Sequence, residues 1–245
     1  MKIKLKDRKS FVNYFLHPLL KVSNTAVTKI GEKSINSIVT SPDGSTVLYI
    51  NYKNVESEGE AKANLGNIDR LIKIFNCLND IDVIDLDHCG NHLRYKSDTV
   101  RFTYHLLDNS VIKSAAVNME KLKALKYDTA FKLTRGAISK IIKGSTFAVD
   151  TNKIYFSTNE RGLVASLTDR KQQNVDEVTF LIADKFAGKK IEQALPMKFE
   201  TFRIISTIPF PEAVVKINTA LNVFTLEINI DGVELIFVVS GLKHE

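Results

Sequence analysis

The chain has 245 residues, 44% of them hydrophobic and 25% charged, with a formal net charge of +6. That length supports one large core or two smaller ones, and no apolar run reaches the roughly 20 residues of a membrane helix. The opening MKIKLKDRKS lacks the apolar stretch of a secretory signal, and Cys77 and Cys89 are too few for a disulfide framework, so a cytoplasmic protein with no membrane partner is expected.

The first helical period runs from about Asp7 to His17, with Phe11, Val12, Phe15 and Leu16 on one face, and is expected to stop at Pro18. Pro42-Asp43-Gly44 then separates two strand-like runs, INSIVTS and STVLYINY. A second helix is expected from Asn67, a good N-cap, to about Leu78, with Ile68, Leu71, Ile72, Phe75 and Leu78 inward. Gly90-Asn91 separates IDVIDLDH from HLRYKS, and Asp108-Asn109 follows the alternating run TVRFTYHLL. Val117–Asp128 (VNMEKLKALKYD) reads as a connector.

Beyond it, a third helix starts after Thr134 and ends before Gly144, burying Ile138, Ile141 and Ile142. Asp150-Thr151-Asn152 separates TFAV from KIYFS, and a fourth helix spans about Lys198 to Thr207 with Phe199, Phe202 and Ile205 inward. Asp231-Gly232 joins VFTLEINI to VELIFVV as a hairpin. Phe11 answers to Ala137, Ile68 to Phe199 and Asp108 to Asp231, each about half a chain apart. This order predicts an α+β fold of two similar domains, each with two helices packed on antiparallel sheet. The expected division is residues 1–118, a connector at 119–128, and residues 129–245.

The outward faces of the four helices share a bias. The first carries Lys6, Ser10, Asn13, His17 and Lys21, with Lys9 at its margin; the second carries Arg70, Lys73 and Asn76, with Asp69. The third carries Arg135, Ser139, Lys140 and Lys143; the fourth carries Arg203 and Thr207, with Glu200. Lys and Arg ordinarily decorate any solvated helix, but four helices with one bias suit a phosphate backbone bound without base readout. No aromatic side chains interleave with these cations, so single-strand stacking is not indicated.

Catalytic chemistry has little support. No glycine-rich phosphate loop, nucleophile elbow or HExxH is present. The one cluster with metal-ligand residue types is Asp85, Asp87, His88, Cys89 and His92. It flanks Gly90-Asn91, where neighbouring side chains point to opposite faces, and is expected to be a polar turn. The expectation is a non-enzyme with no cofactor and no metal.

The stretches LKDRKSFVNYF, NIDRLIKIFNCLNDIDVIDLDHCGNHLRY and TRGAISKIIKGSTFAVDTNKIYFS, followed by VTFLIADKF, MKFETFRIIS and FTLEINIDGVELIFVVSGL, resemble in order the two-domain DNA sliding clamps. That group comprises the proliferating-cell antigens and the clamps of T-even-like bacteriophages, and the short lead into the first helix places the phage clamps nearer. Two features depart from the pattern: family members are commonly acidic, and Thr179–Leu195 is long for a link between a strand and the fourth helix.

The resemblance implies a homotrimeric ring of clamp domains that encircles double-stranded DNA, tethers a DNA polymerase as its processivity factor, and is opened by an ATP-driven clamp loader. If the source is viral, this would happen in the host cytoplasm. Lys6, Lys9, Asn13, Lys21, Arg70, Lys73, Arg135, Lys140, Lys143 and Arg203 would face the DNA. Edge strands near Ser110–Asn118 (Val111, Ile112, Ala115) and Leu163–Thr168 (Leu163, Val164, Leu167) would pair between subunits. Val117, Met119, Leu122 and Leu125 would border a pocket for partner peptides with Val239 and Leu242. The alternative is a monomeric DNA-binding processivity module of similar fold with an open basic face. SVIKSAAVN, with one Lys, and LVASL, with none, favour pairing over that reading.

Overall fold

The computed structural model describes residues 1–112, 115, 117, 120, 122, 124–147, 152–168 and 176–242. The chain divides into two compact units, Met1–Val117 with Asn229–Leu235, and Asn118–Ile228 with Ile236–Glu245.

In the first unit the strands are β1 (Lys2–Leu5), β2 (Ala26–Gly31), β3 (Ser34–Thr40), β4 (Thr46–Tyr52), β5 (Val55–Ser57), β6 (Ala61–Leu65), β7 (Ile84–His88), β8 (His92–Lys96) and β9 (Arg101–His105). They form the runs β5-β1-β7-β8-β9 and β4-β3-β2-β6, with antiparallel pairing between the registered neighbours. In the second unit the strands are β10 (Thr129–Thr134), β11 (Lys153–Asn159), β12 (Gly162–Leu167), β13 (Val178–Ala183), β14 (Phe186–Gly188), β15 (Leu195–Lys198), β16 (Glu212–Asn218), β17 (Val223–Ile230) and β18 (Val233–Ser240). Their order, β14-β10-β16-β17-β18 and β13-β12-β11-β15, repeats that of the first unit strand for strand. The long segment before the fourth helix is explained by β14, the counterpart of β5, which pairs with β10.

The topology moves one correspondence. The β17–β18 turn, where Asp231 (φ 44°) and Gly232 (φ 79°) take the left-handed conformations of a two-residue hairpin, matches the Ser97–Val100 turn between β8 and β9. Asp108 follows β9, so its expected match to Asp231 does not hold. Asp150 and Thr151, expected to form a turn, lie outside the described residues.

The helices fall where the periodicity puts them, except the first. It runs as α1 (Arg8–Phe11), a π turn (Val12–Leu16) and α2 (His17–Val22), continuing through Pro18. The His17 amide reaches five residues back to the Val12 carbonyl, and this wider turn accommodates a proline that would end a regular α-helix. α3 (Ile68–Asn76) starts where Asn67 Oδ1 accepts the Arg70 amide at 2.9 Å. Its Ile68, Leu71, Ile72 and Phe75 are at most 4% exposed, each burial stabilising by roughly 1.5–3 kcal/mol. Phe11, Phe15, Tyr52 and Phe75 form the aromatic centre of this unit, with ring centroids 5.0–6.2 Å apart. In the second unit α4 (Arg135–Gly144) buries Ile138 and Ile141, and α5 (Phe199–Ser206) buries Phe199, Phe202 and Ile205.

Candidate nucleic-acid interface

Each unit locks its two helices together in the same way. Arg8 follows the N-cap Asp7, whose Oδ1 accepts the Ser10 amide at 2.8 Å; Arg135 follows the N-cap Thr134, whose Oγ1 accepts the Ala137 amide at 3.2 Å. The Arg8 guanidinium donates to the carbonyls of Phe75 (3.3 Å), Asn79 (3.2 Å) and Ile81 (3.0 Å) at the end of α3. The Arg135 guanidinium donates to those of Ser206 and Ile208 (3.0 Å) at the end of α5. A cation on the unsatisfied carbonyls of a helix C-terminus is favoured by hydrogen bonding and by the helix dipole. Arg8 is 7% exposed and was absent from the sequence-derived site. The signal available was its place directly after an N-cap in both repeats. Arg135, expected on the DNA-facing surface, is exposed but spends its guanidinium on this clamp.

The other cations fall into two groups. Lys6 pairs with Glu56 (2.7 Å), Lys73 with Asp69 (2.6 Å) and Arg203 with Glu200 (3.6 Å), and the Arg203 guanidinium lies 4.6 Å from the Phe199 ring centre. Lys9, Lys21, Arg70, Lys140 and Lys143 are exposed and have no acidic partner among the described residues. Asn13 is half-buried in the π turn. Burial lowers the His17 pKa, and the Lys21 charge one turn on lowers it further. Of the helix cations expected to face DNA, those without an acidic partner among the described residues are thus Lys9, Lys21 and Arg70 in the first unit, and Lys140 and Lys143 in the second.

The strand edges differ from those expected. Gly162–Leu167 is hydrogen-bonded on both sides, to β11 and β13, so Leu163, Val164 and Leu167 sit inside a sheet and cannot offer an open edge. Around 110–118 the described residues include no strand: Val111 is 68% exposed, while Ile112 and Ala115 line a hollow against β2 and β3. The outer strands are instead β5, β6, β9, β13, β14 and β15. Phe147, in the turn after α4, is 63% exposed, and Leu181, on β13, is 48% exposed.

The connector borders a cavity of about 230 Å³ lined by Leu122, Leu125, Tyr127, Ile236 and Val238, with Lys216 and Glu227 at its side. Val239 does not line it: side chains alternate along β18, so Ile236 and Val238 face the cavity while Val239, 1% exposed, faces the core. Leu242 borders a separate hollow with Lys198 and Arg203. Val117 is half-buried away from the lining, and Met119 lies outside the described residues.

No protein-family model and no curated protein matches the chain. Solved structures match over its whole length. The proliferating cellular nuclear antigen of Entamoeba histolytica is 13% identical, with a TM-score of 0.78, 99% of this chain and 98% of that one being covered. The PCNA of A. fulgidus, solved with the C-terminal region of FEN-1 bound, is 13% identical with a TM-score of 0.80, covering 100% and 99%. A PCNA2–PCNA3 complex from Sulfolobus tokodaii gives 14% and 0.74, covering 98% and 99%. Strand order, helix pairs and full-length similarity agree: the chain has the sliding-clamp fold of the proliferating cell nuclear antigens.

Proposed function

We propose that the chain is a non-enzymatic sliding clamp: three copies join head to tail around duplex DNA and hold a DNA polymerase on it as its processivity factor. The observation that carries the reading is the duplicated helix pair with outward cations, alongside the outer strands β9 and β13, each with one neighbour among the described residues. Outer strands flanked by exposed Val111 in one unit and by Phe147 and Leu181 in the other favour strand pairing between copies. Lys9, Lys21, Arg70, Lys140 and Lys143 supply the main phosphate contacts, with Lys6, Asn13, Lys73 and Arg203 secondary. Such contacts are weak and sequence-independent, which suits a protein held by topology. A clamp loader opens the ring, and this takes place wherever the genome is copied, the host cytoplasm for a virus.

The cavity between Leu122, Leu125, Ile236 and Val238 suits short apolar peptide segments of the polymerase and the loader. The neighbour solved with the FEN-1 C-terminal region supports a peptide partner, and the PCNA2–PCNA3 complex supports assembly through chain–chain contacts. Among the described residues no helix is long and apolar enough to cross a membrane.

Light scattering over a dilution series at moderate salt tests the ring. A mass about three times that of one chain is expected, and Phe147→Asp with Leu181→Asp should weaken association about tenfold or more. A stable monomer at every concentration would overturn the ring and leave an open DNA-binding module.

A further inference from the structure

Strand register brings His105 beside two side chains of one hairpin end, Cys89 and His92. His88 pairs with Leu93 and Asp87 with Arg94 across β7 and β8, and the Cys89 amide donates to the His92 carbonyl at 2.9 Å, so Cys89 stands opposite His92 at the hairpin end. On the other side His92 is in register with His105 of β9. Side chains alternate along a strand. Leu93 and Tyr104 point into the core, so Cys89, His92 and His105 form one row across three strands on the outward face.

We propose that this row is a binding site for a borderline-soft divalent transition ion of the zinc kind, held by His92 and His105 with the Cys89 thiolate. The spacing is close to what an ion needs. A metal bound through an imidazole nitrogen stands about 3.2 Å from the ring centre, so two rings on one tetrahedral ion have centres about 5.2 Å apart. The His92 and His105 centroids are 5.9 Å apart, with the rings tilted 53°, and a side-chain rotation closes the difference. His92 is also oriented: its Nδ1 lies 2.8 Å from Asn91 Oδ1. A proton on Nδ1 donated to that oxygen leaves Nε2 as the outward lone pair, the arrangement that fixes metal-binding histidines elsewhere.

Among the described residues no group of three His, Cys, Asp or Glu side chains is arranged to hold a metal ion as the side chains stand. Forming the site requires the thiol to turn toward the two rings. Cys89 is exposed and unpaired, and its Sγ lies 3.8 Å from the Asp87 carbonyl, a weak contact that rotation about one side-chain bond releases. Water completes the tetrahedron. Nitrogen and sulfur donors together select zinc, cobalt or copper over magnesium and calcium. The hairpin sequence alone offered Cys89 and His92 beside carboxylates. Asp87 is engaged by Arg94 at 3.1 Å, and His105 enters only through the register.

The site does not depend on the clamp reading, and its test is separate from the oligomer measurement. Zinc sulfate is titrated calorimetrically into the reduced, untagged full chain, followed by cobalt titration in the near ultraviolet. One zinc per chain is expected, with affinity falling about tenfold or more in His105→Ala and in Cys89→Ser. A thiolate-to-cobalt charge-transfer band is expected in the parent and absent in Cys89→Ser. No saturable uptake, uptake that survives both substitutions, or cobalt binding without the thiolate band would each overturn the proposal. All three positions lie on the exposed face, so the variants are expected to fold, and circular dichroism checks that they do.

Discussion

The two units share a topology but build their first helices from different chemistry. In the first, the helix runs from Arg8 to Val22 through a π turn and a proline, and its clamp arginine is nearly sealed from water. In the second, α4 is a regular ten-residue helix whose clamp arginine is exposed. Yet the backbone amide of Arg8 donates to the Asp82 carbonyl and that of Arg135 to the Pro211 carbonyl, each at the chain segment entering the strand that pairs with the unit's first. The clamp is therefore common to both units, while its surroundings are not. What the repeat holds constant is the relation between the two helices of a pair, which is what a surface made of their outward faces requires.

The largest effect should come from breaking the sealed clamp. Arg8→Ala leaves three carbonyls at the end of α3 with little water to replace the guanidinium, and the expected loss is about 3 kcal/mol. Arg135→Ala exposes its carbonyls to solvent, and the expected loss is about 1 kcal/mol or less. Urea unfolding of the two variants checks the pair, and equal losses would mean that burial does not distinguish the clamps.

Next in size is the difference between paired and unpaired cations. Replacing both Lys140 and Lys143 with Ala should reduce the slope of log affinity against log salt by about 2 for a short duplex, close to one for each phosphate no longer neutralised. Lys73→Ala and Arg203→Ala should each change it by less, since Lys73 is already held by Asp69 and Arg203 by Glu200. Fluorescence anisotropy across a salt series measures all of these. Slopes that fall as far for Lys73 as for Lys140 would show that the ion pairs open on DNA and that the division into two groups has no functional meaning.

How much of this was legible in the sequence follows from the range of each signal. Helix periods, N-caps at Asn67 and Thr134, and turns at Pro42-Asp43-Gly44, Gly90-Asn91 and Asp231-Gly232 are local, and each is found where the residues put it. The duplication was readable as the order of those local signals. What failed needed long-range pairing. An apolar alternating run such as LVASL shows that a strand is buried but not that it has neighbours on both sides, so β12 reads as an edge although β13 forms it. The same limit hid the Arg8 clamp, whose partners lie more than sixty residues away, and the pairing of His92 with His105. Pro18 failed for another reason. The rule that proline ends a helix assumes regular α geometry, and the π turn before it removes that assumption.

The smallest expected effect separates the units by pH. His17 opens α2, where burial first and the Lys21 charge second lower its pKa below the ordinary histidine value. Folding therefore favours the neutral ring. As pH falls through the unfolded value of about 6.5, the unfolded chain takes up a proton before the folded one does, so stability declines until the folded pKa is passed. Urea midpoints at about pH 7.5 and about pH 5.5 should show the decline in the parent and a shallower one in His17→Gln. The α4–α5 pair carries no histidine, so hydrogen exchange should place the extra opening at low pH in the first unit's helices and not in the second's. Phosphate laid along α2 acts the other way, raising the His17 pKa by favouring the charged ring. Duplex binding to this face should then be accompanied by proton uptake on the acid side of neutrality that His17→Gln abolishes. Uptake that persists in His17→Gln would move the phosphate contact off α2 and leave Arg70 and the second unit's lysines to carry the interface.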